Sequence, residues 1–105
     1  MRMLLKAQMD TEAANRAIAD GSMPEAMGRI MDVLQPEAAY FAPLDGKRTA
    51  LIVFDLKDPS QIPVVSEPFF KDMQATVEFI PVMTRDDLAA GLAQVEARAG
   101  DGAPA

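Results

Sequence analysis

The sequence has no histidine, no cysteine and no tryptophan among its 105 residues. Histidine is the commonest general base and a frequent transition-metal ligand, and cysteine holds most structural zinc and iron–sulfur clusters. We therefore expect neither a metal site nor a cofactor. Without cysteine the protein needs no oxidising compartment, and a cytoplasmic location is the simplest expectation.

Phosphate-binding and nucleic-acid-binding signals are also missing. Neither G-x-G-x-x-G nor G-x-x-x-x-G-K-[ST] occurs, so the chain has no recognisable phosphate loop. The net charge is −6, and the basic residues are scattered apart from the pair Lys47-Arg48. A nucleic acid or an anionic membrane requires a concentrated basic surface, so we expect neither as a partner. No apolar run has the ~20 residues of a membrane span, and residues 1–10 do not resemble a signal peptide.

Four stretches of the chain have the patterns of β-strands. Apolar residues alternate along residues 3–9, which is the period of a strand. Residues 38–44 and 49–56 flank Asp45-Gly46, a dipeptide typical of tight hairpin turns. Residues 75–83 form a fourth predicted strand, which Pro81 assigns to an edge of the sheet because proline cannot donate to a ladder.

Helical spacing fills most of the remaining sequence. Residues 12–35 form one helical region with a break near Gly21, and Pro36 ends it. After Asp58, we expect Pro63 and Pro68 to prevent one long regular helix. Thr84 begins a capping box, and a helical stripe then runs to about residue 98.

The resulting order, β-α-β-β-α-β-α, predicts an α+β fold of the ferredoxin-like βαββαβ type. It consists of a four-stranded antiparallel sheet, with the first and third strands central, helices on one face and an additional C-terminal helix. We expect residues 1–98 to form this single domain and residues 99–105 to form a flexible tail.

One face of this sheet has no helix to cover it. Five apolar residues are predicted to lie there: Leu4, Leu51, Val53, Ile80 and Val82. A monomer rarely leaves such a contiguous surface exposed. A second copy packed sheet against sheet would cover it, so we expect a homodimer through this face.

The same face carries five polar residues, which are the candidate ligand-binding residues: Lys6, Gln8, Tyr40, Asp55 and Glu78. In one interpretation Lys6 and Glu78 form a cross-strand ion pair in a filled interface, with Gln8 and Tyr40 as hydrogen-bonding groups. In the other, the face borders a small-molecule cleft in which Lys6 or Glu78 transfers a proton and Tyr40 donates a hydrogen bond.

Three segments carry a resemblance to a known superfamily: LQPEAAYF at 34–41, DPSQIP at 58–63 and PVM at 81–83. With the order and size of the elements, they resemble a group of small bacterial proteins within the dimeric α+β barrel superfamily. The resemblance implies a homodimer with facing sheets and a cleft between sheet and helices or between subunits. It transfers no catalytic residue, because haem-degrading members use a histidine and cofactor-free monooxygenases use a tryptophan.

Three functional hypotheses follow from these observations. The first is a homodimer that binds a small organic ligand in a cleft beside the sheet. The second is a cofactor-independent isomerase-like enzyme that uses Lys6, Glu78 and Tyr40 in acid–base chemistry. The third is a structural or regulatory dimerisation module.

Overall fold

A computed structural model describes residues 1–100, which form one four-stranded sheet and four helices. The strands are β1 (Arg2–Gln8), β2 (Ala38–Leu44), β3 (Lys47–Asp55) and β4 (Thr76–Pro81). The helices are α1 (Thr11–Ala19), α2 (Ser22–Leu34), α3 (Gln61–Met73) and α4 (Arg85–Gly100). The predicted α+β class is confirmed, and the arrangement is roughly ferredoxin-like.

The sheet has the strand order β2-β3-β1-β4, and every neighbouring pair is antiparallel. The first and third strands are therefore central, and β4 lies at an edge, as predicted. Met3 is opposite Phe54 on one side and Pro81 on the other. Pro81 thus stands at the end of an edge strand, where its missing N–H costs little.

The β2–β3 hairpin closes through the predicted turn. Asp45 has φ 54° and Gly46 has φ 73°, so both residues adopt the left-handed conformation of a primed turn. Glycine reaches this conformation without a Cβ clash.

Replacing Gly46 by alanine is expected to lower the free energy of unfolding by about 1 kcal/mol, because a Cβ is unfavourable at positive φ. Urea unfolding followed by circular dichroism measures the difference. The matched control is Gly28→Ala in α2, where an added Cβ meets nothing within 4 Å. That change should stabilise the helix by about 1 kcal/mol. Equal effects of the two substitutions would contradict the conformational explanation.

Helices α1 and α2 are separated by the predicted break. The Asp10 carboxylate accepts a hydrogen bond from the Ala13 N–H at 3.0 Å and so begins α1. Gly21, with φ 82°, stands between the helices, and the Ser22 N–H donates to Asp20. Helix α2 ends at Leu34, followed by Gln35 in the left-handed conformation, just before Pro36.

The prediction that prolines would prevent one regular helix in the next segment is wrong. Helix α3 runs unbroken over 13 residues and contains both Pro63 and Pro68. Pro63 lies in the first turn, where an N–H has no intrahelical partner. Pro68 removes one helical hydrogen bond, but the same turns bury Val65 and Phe69 in the core. Burial of these side chains outweighs the lost bond.

The hydrophobic core lies between one face of the sheet and helices α1 to α3. Its largest buried side chains are Leu5, Ile52, Phe54, Val65, Phe69 and Met73. Phe54 also makes an edge-to-face contact with Phe79, their ring centroids 6.2 Å apart. The opposite face of the sheet, which we call the open face, has no helix packed across it in the described part of the chain.

Helix α4 begins with the predicted capping box. The Thr84 N–H donates to the Asp87 carboxylate at 3.0 Å, and the Asp87 N–H donates to the Thr84 hydroxyl at 3.1 Å. The hydrogen bond from the Thr84 backbone holds the pKa of Asp87 below its usual value. Asp87 also lies 3.9 Å from the Arg2 guanidinium, which connects the start of α4 to β1.

Beyond this first turn, α4 extends away from the rest of the molecule. None of its residues is buried, and the molecule is 61 Å long along its longest axis. The apolar stripe of Leu88, Leu92 and Val95 is exposed. Residues 99–100 end α4, and the remainder of the predicted tail, 101–105, lies outside the described residues. None of the helices over 1–100 is long and apolar enough to cross a bilayer.

Candidate functional site

All five predicted site residues lie on the open face of the sheet. Lys6 stands opposite Leu51 on β3 and opposite Glu78 on β4. Tyr40 on β2 is in turn opposite Leu51. Tyr40, Leu51, Lys6 and Glu78 therefore form one row across all four strands. Strand spacing puts the backbones of Tyr40 and Lys6 about 10 Å apart.

Lys6 and Glu78 face each other without forming an ion pair within residues 1–100. None of the salt bridges there, in which nitrogen and oxygen lie within 4.0 Å of each other, involves Lys6 or Glu78. Tyr40 is 65 % exposed. The charges of this row are thus available to a partner molecule. An acid–base role for Lys6, Glu78 and Tyr40 stays a hypothesis.

Gln8 and Asp55 are occupied by local hydrogen bonds. The Gln8 amide donates to the Leu44 carbonyl at 2.9 Å and to the Asp45 carboxylate at 3.3 Å, so it ties β1 to the hairpin turn. Asp55 accepts a hydrogen bond from the Met1 amino group at 2.7 Å. That bond holds the pKa of Asp55 below its usual value. Both residues support the ends of the sheet.

A concavity lies on the other side of the sheet, between the start of α2 and the β2–β3 hairpin. Its volume is about 450 Å³. Nine residues line it: Met9, Met23, Pro24, Met27, Phe41, Ala42, Pro43, Arg48 and Thr49. We call it the methionine cleft, after the three methionines in its wall.

The methionine cleft exists because the helices do not reach the outer end of the hairpin. Phe41 is opposite Ala50, which is fully buried, so it lies on the helix-facing side of the sheet. Nevertheless Phe41 is 59 % exposed. Met23 and Met27 of α2 form the opposite wall and also pack against the core. Methionine side chains are flexible and polarizable, so this wall can adapt to a ligand.

Arg48 is the one charged residue among the nine that line the methionine cleft. Its Nη1 donates to the Asn15 side-chain oxygen at 2.8 Å, which links β3 to α1. Its backbone carbonyl accepts from the Met9 N–H at 2.9 Å. The backbone contact holds this part of β3 next to the end of β1, and the contact with Asn15 orients the exposed guanidinium toward α1.

Sequence reasoning missed this site. The methionines follow the helical and strand patterns of core residues, and their partial exposure depends on how far α2 extends over the hairpin. Pairing of Phe41 with Ala50 on the covered side of β2 was the one available signal. None of the five predicted residues lines the methionine cleft, nor a second cleft of about 280 Å³ between α3 and β4.

Two further findings concern metal binding and similarity to known proteins. Residues 1–100 contain no group of three potential metal-ligating side chains placed to hold an ion. No model of a known protein family, no curated protein and no solved structure matches this chain.

Proposed function

We propose that this protein binds a small, largely apolar organic molecule in the methionine cleft. The observation that carries the proposal is the cleft itself, which has a volume of about 450 Å³. Eight of its nine lining residues offer apolar surface, Thr49 through its methyl group. Sites for small molecules typically enclose about 300–1,000 Å³ and are mostly apolar.

The walls of the methionine cleft combine a firm side with an adaptable one. The firm side consists of Met9, which directly follows β1, and Thr49 of β3, and both residues are buried. The adaptable side is α2, where Met23 and Met27 are only partly buried. Such a site tolerates variation in the shape of the ligand.

A neutral fluorescent probe, N-phenyl-1-naphthylamine, tests this proposal directly. We expect saturable binding to the wild-type protein, because the probe transfers its rings from water to the apolar wall. Met27→Glu should weaken binding by about tenfold or more, since a carboxylate in the wall must be desolvated by the ligand. Fluorescence titration measures both affinities.

The matched control is Val33→Glu on the same helix, at an exposed position outside the cleft. It should bind the probe as the wild type does. Phe41→Ala supplies a second variant, and circular dichroism verifies that each variant is folded. Absence of saturable binding to the wild type would contradict the proposal and favour a structural or regulatory dimerisation module.

We also infer that the protein is a homodimer through the open face, the arrangement of the dimeric α+β barrel superfamily. Apolar side chains support this inference. Those of the open face are Leu4, Leu51, Val53, Ile80 and Val82, and the exposed stripe of α4 lies beyond its edge. A monomer would leave both surfaces in water.

The size of these surfaces agrees with a dimer interface. Four strands about seven residues long and ~4.8 Å apart present a face of about 400 Å². The 16 residues of α4 add a strip of about 240 Å². The relief of the side chains increases both values. Together they approach the roughly 800 Å² per partner that a stable interface buries.

The charges of the open face are self-complementary. In a two-fold contact the same surface meets itself, so each group on one copy faces a different group on the other. Lys6 and Glu78 stand side by side on one row, with opposite charge. An antiparallel approach of two rows would bring Lys6 of one copy toward Glu78 of the second. Light scattering measures the resulting mass.

A further inference from the structure

We propose that the ligand of the methionine cleft is an apolar monocarboxylate whose carboxylate is bound by Arg48. This inference rests on the proposed function, because it assigns a chemical class to the molecule in that cleft. It is carried by the position, the charge and the hydrogen-bonding capacity of one side chain.

Arg48 is exposed and stands at the rim of the methionine cleft. It stands on β3 opposite Pro43 and immediately before the buried Thr49, and both neighbours line the cleft. The hydrogen bond to Asn15 holds the guanidinium against α1. A pre-positioned guanidinium loses little conformational freedom when it binds an anion.

The charge of Arg48 is not neutralised within the described part of the chain. No carboxylate oxygen lies within 4.0 Å of it there. The protein as a whole has a net charge of −6, so its general field disfavours anions. A carboxylate ligand therefore depends on this local cation, which is the one charge in an otherwise uncharged lining.

The donors of Arg48 match a carboxylate. Guanidinium has five N–H donors in a planar fork, and one of them serves Asn15. The others are free for a two-point contact with a carboxylate, the geometry that arginine prefers. A phosphate dianion would require more donors than a single arginine offers in this apolar lining. The surroundings thus favour a singly charged group attached to an apolar body.

Two probes with the same ring system separate this inference from the proposed function: 2-naphthylacetate and the neutral alcohol 2-(2-naphthyl)ethanol. Isothermal titration calorimetry gives both affinities for the full chain. We expect the carboxylate to bind about tenfold or more tightly than the alcohol, since a hydrogen bond to a charged group is worth that factor. Arg48→Gln should abolish the preference, because it lowers the affinity for the carboxylate far more than the affinity for the alcohol.

Two further variants test the geometry. Lys47→Gln removes the neighbouring cation, which does not line the cleft, and should retain the preference. Asn15→Ala releases the guanidinium without removing its charge, and should reduce the preference only in part. A carboxylate preference that persists in Arg48→Gln, or equal affinities in the wild type, would overturn the inference. Failure of the alcohol to bind would instead overturn the proposed function.

Discussion

Replacing Phe69 by alanine should lower the free energy of unfolding by about 4 kcal/mol, the usual cost of deleting a buried phenyl group. Phe69 is 0 % exposed and lies in α3, where it packs into the core. Domains of this size are stable by only about 5–15 kcal/mol. The substitution should therefore remove a large share of the total stability. Urea unfolding followed by circular dichroism, at fixed protein concentration, measures it.

The neighbouring residue provides a matched control. Phe70 has the same side chain on the same helix but is 46 % exposed. Phe70→Ala should cost about 1 kcal/mol or less, because surface truncations leave no cavity. Similar losses from the two substitutions would contradict the packing of α3. They would indicate that Phe70 is as well buried as Phe69, for example by a partner.

The comparison of Phe69 with Phe70 also shows what the sequence could predict and what it could not. Strand periodicity and the Asp45-Gly46 turn predicted the strands and the hairpin correctly, since those signals are local and strong. The order of the elements along the chain predicted the order of the strands in the sheet. The prolines of α3 gave the opposite local signal, and the prediction was wrong there. The burial of core side chains around Phe69 stabilises α3 despite its prolines. Local helix propensity does not include this tertiary contribution.

The candidate sites likewise include one part that the sequence predicted and one part that it did not. The alternation of side chains along each strand placed Lys6 and Glu78 on the same face, and the strand register sets them opposite each other. The methionine cleft was not predictable, because it arises where α2 stops short of the hairpin. Whether Met23 is core or cleft wall depends on that tertiary distance. Arg48, noted from sequence only as part of the basic pair Lys47-Arg48, becomes a site residue for the same reason.

The two proposed surfaces centre on opposite sides of one sheet and meet near the hairpin, where Thr49 of the cleft shares a row with Gln8 of the open face. Residues of the open face alternate along each strand with those that face the helices, so Leu51 and Arg48 belong to different sides of β3. A substitution on the open face should therefore change assembly and leave the methionine cleft intact. This separation makes the homodimer and the ligand site independently testable.

If the protein is the homodimer that we propose, Leu51→Glu should weaken its association by at least about 100-fold. The residue lies at the centre of the open face, between Tyr40 and Lys6. A two-fold interface would bury the new carboxylate twice, once from each copy, and each burial is costly without a partner. Lys6 can offset part of that cost, which is why we expect a weakened rather than an unmeasurable affinity. Sedimentation equilibrium over a range of concentrations gives the dissociation constants.

The control for Leu51→Glu is Val64→Glu, which places the same charge on the exposed side of α3, on the helix-covered side of the sheet. It should leave the mass of the protein unchanged. Leu92→Glu on the exposed stripe of α4 gives a third measurement, and should weaken association if that helix contributes to the contact. A wild-type protein that is monomeric at micromolar concentration would contradict the dimer altogether. If Leu51→Glu left the dimer intact and Leu92→Glu dissociated it, the interface would lie on α4 and not on the sheet.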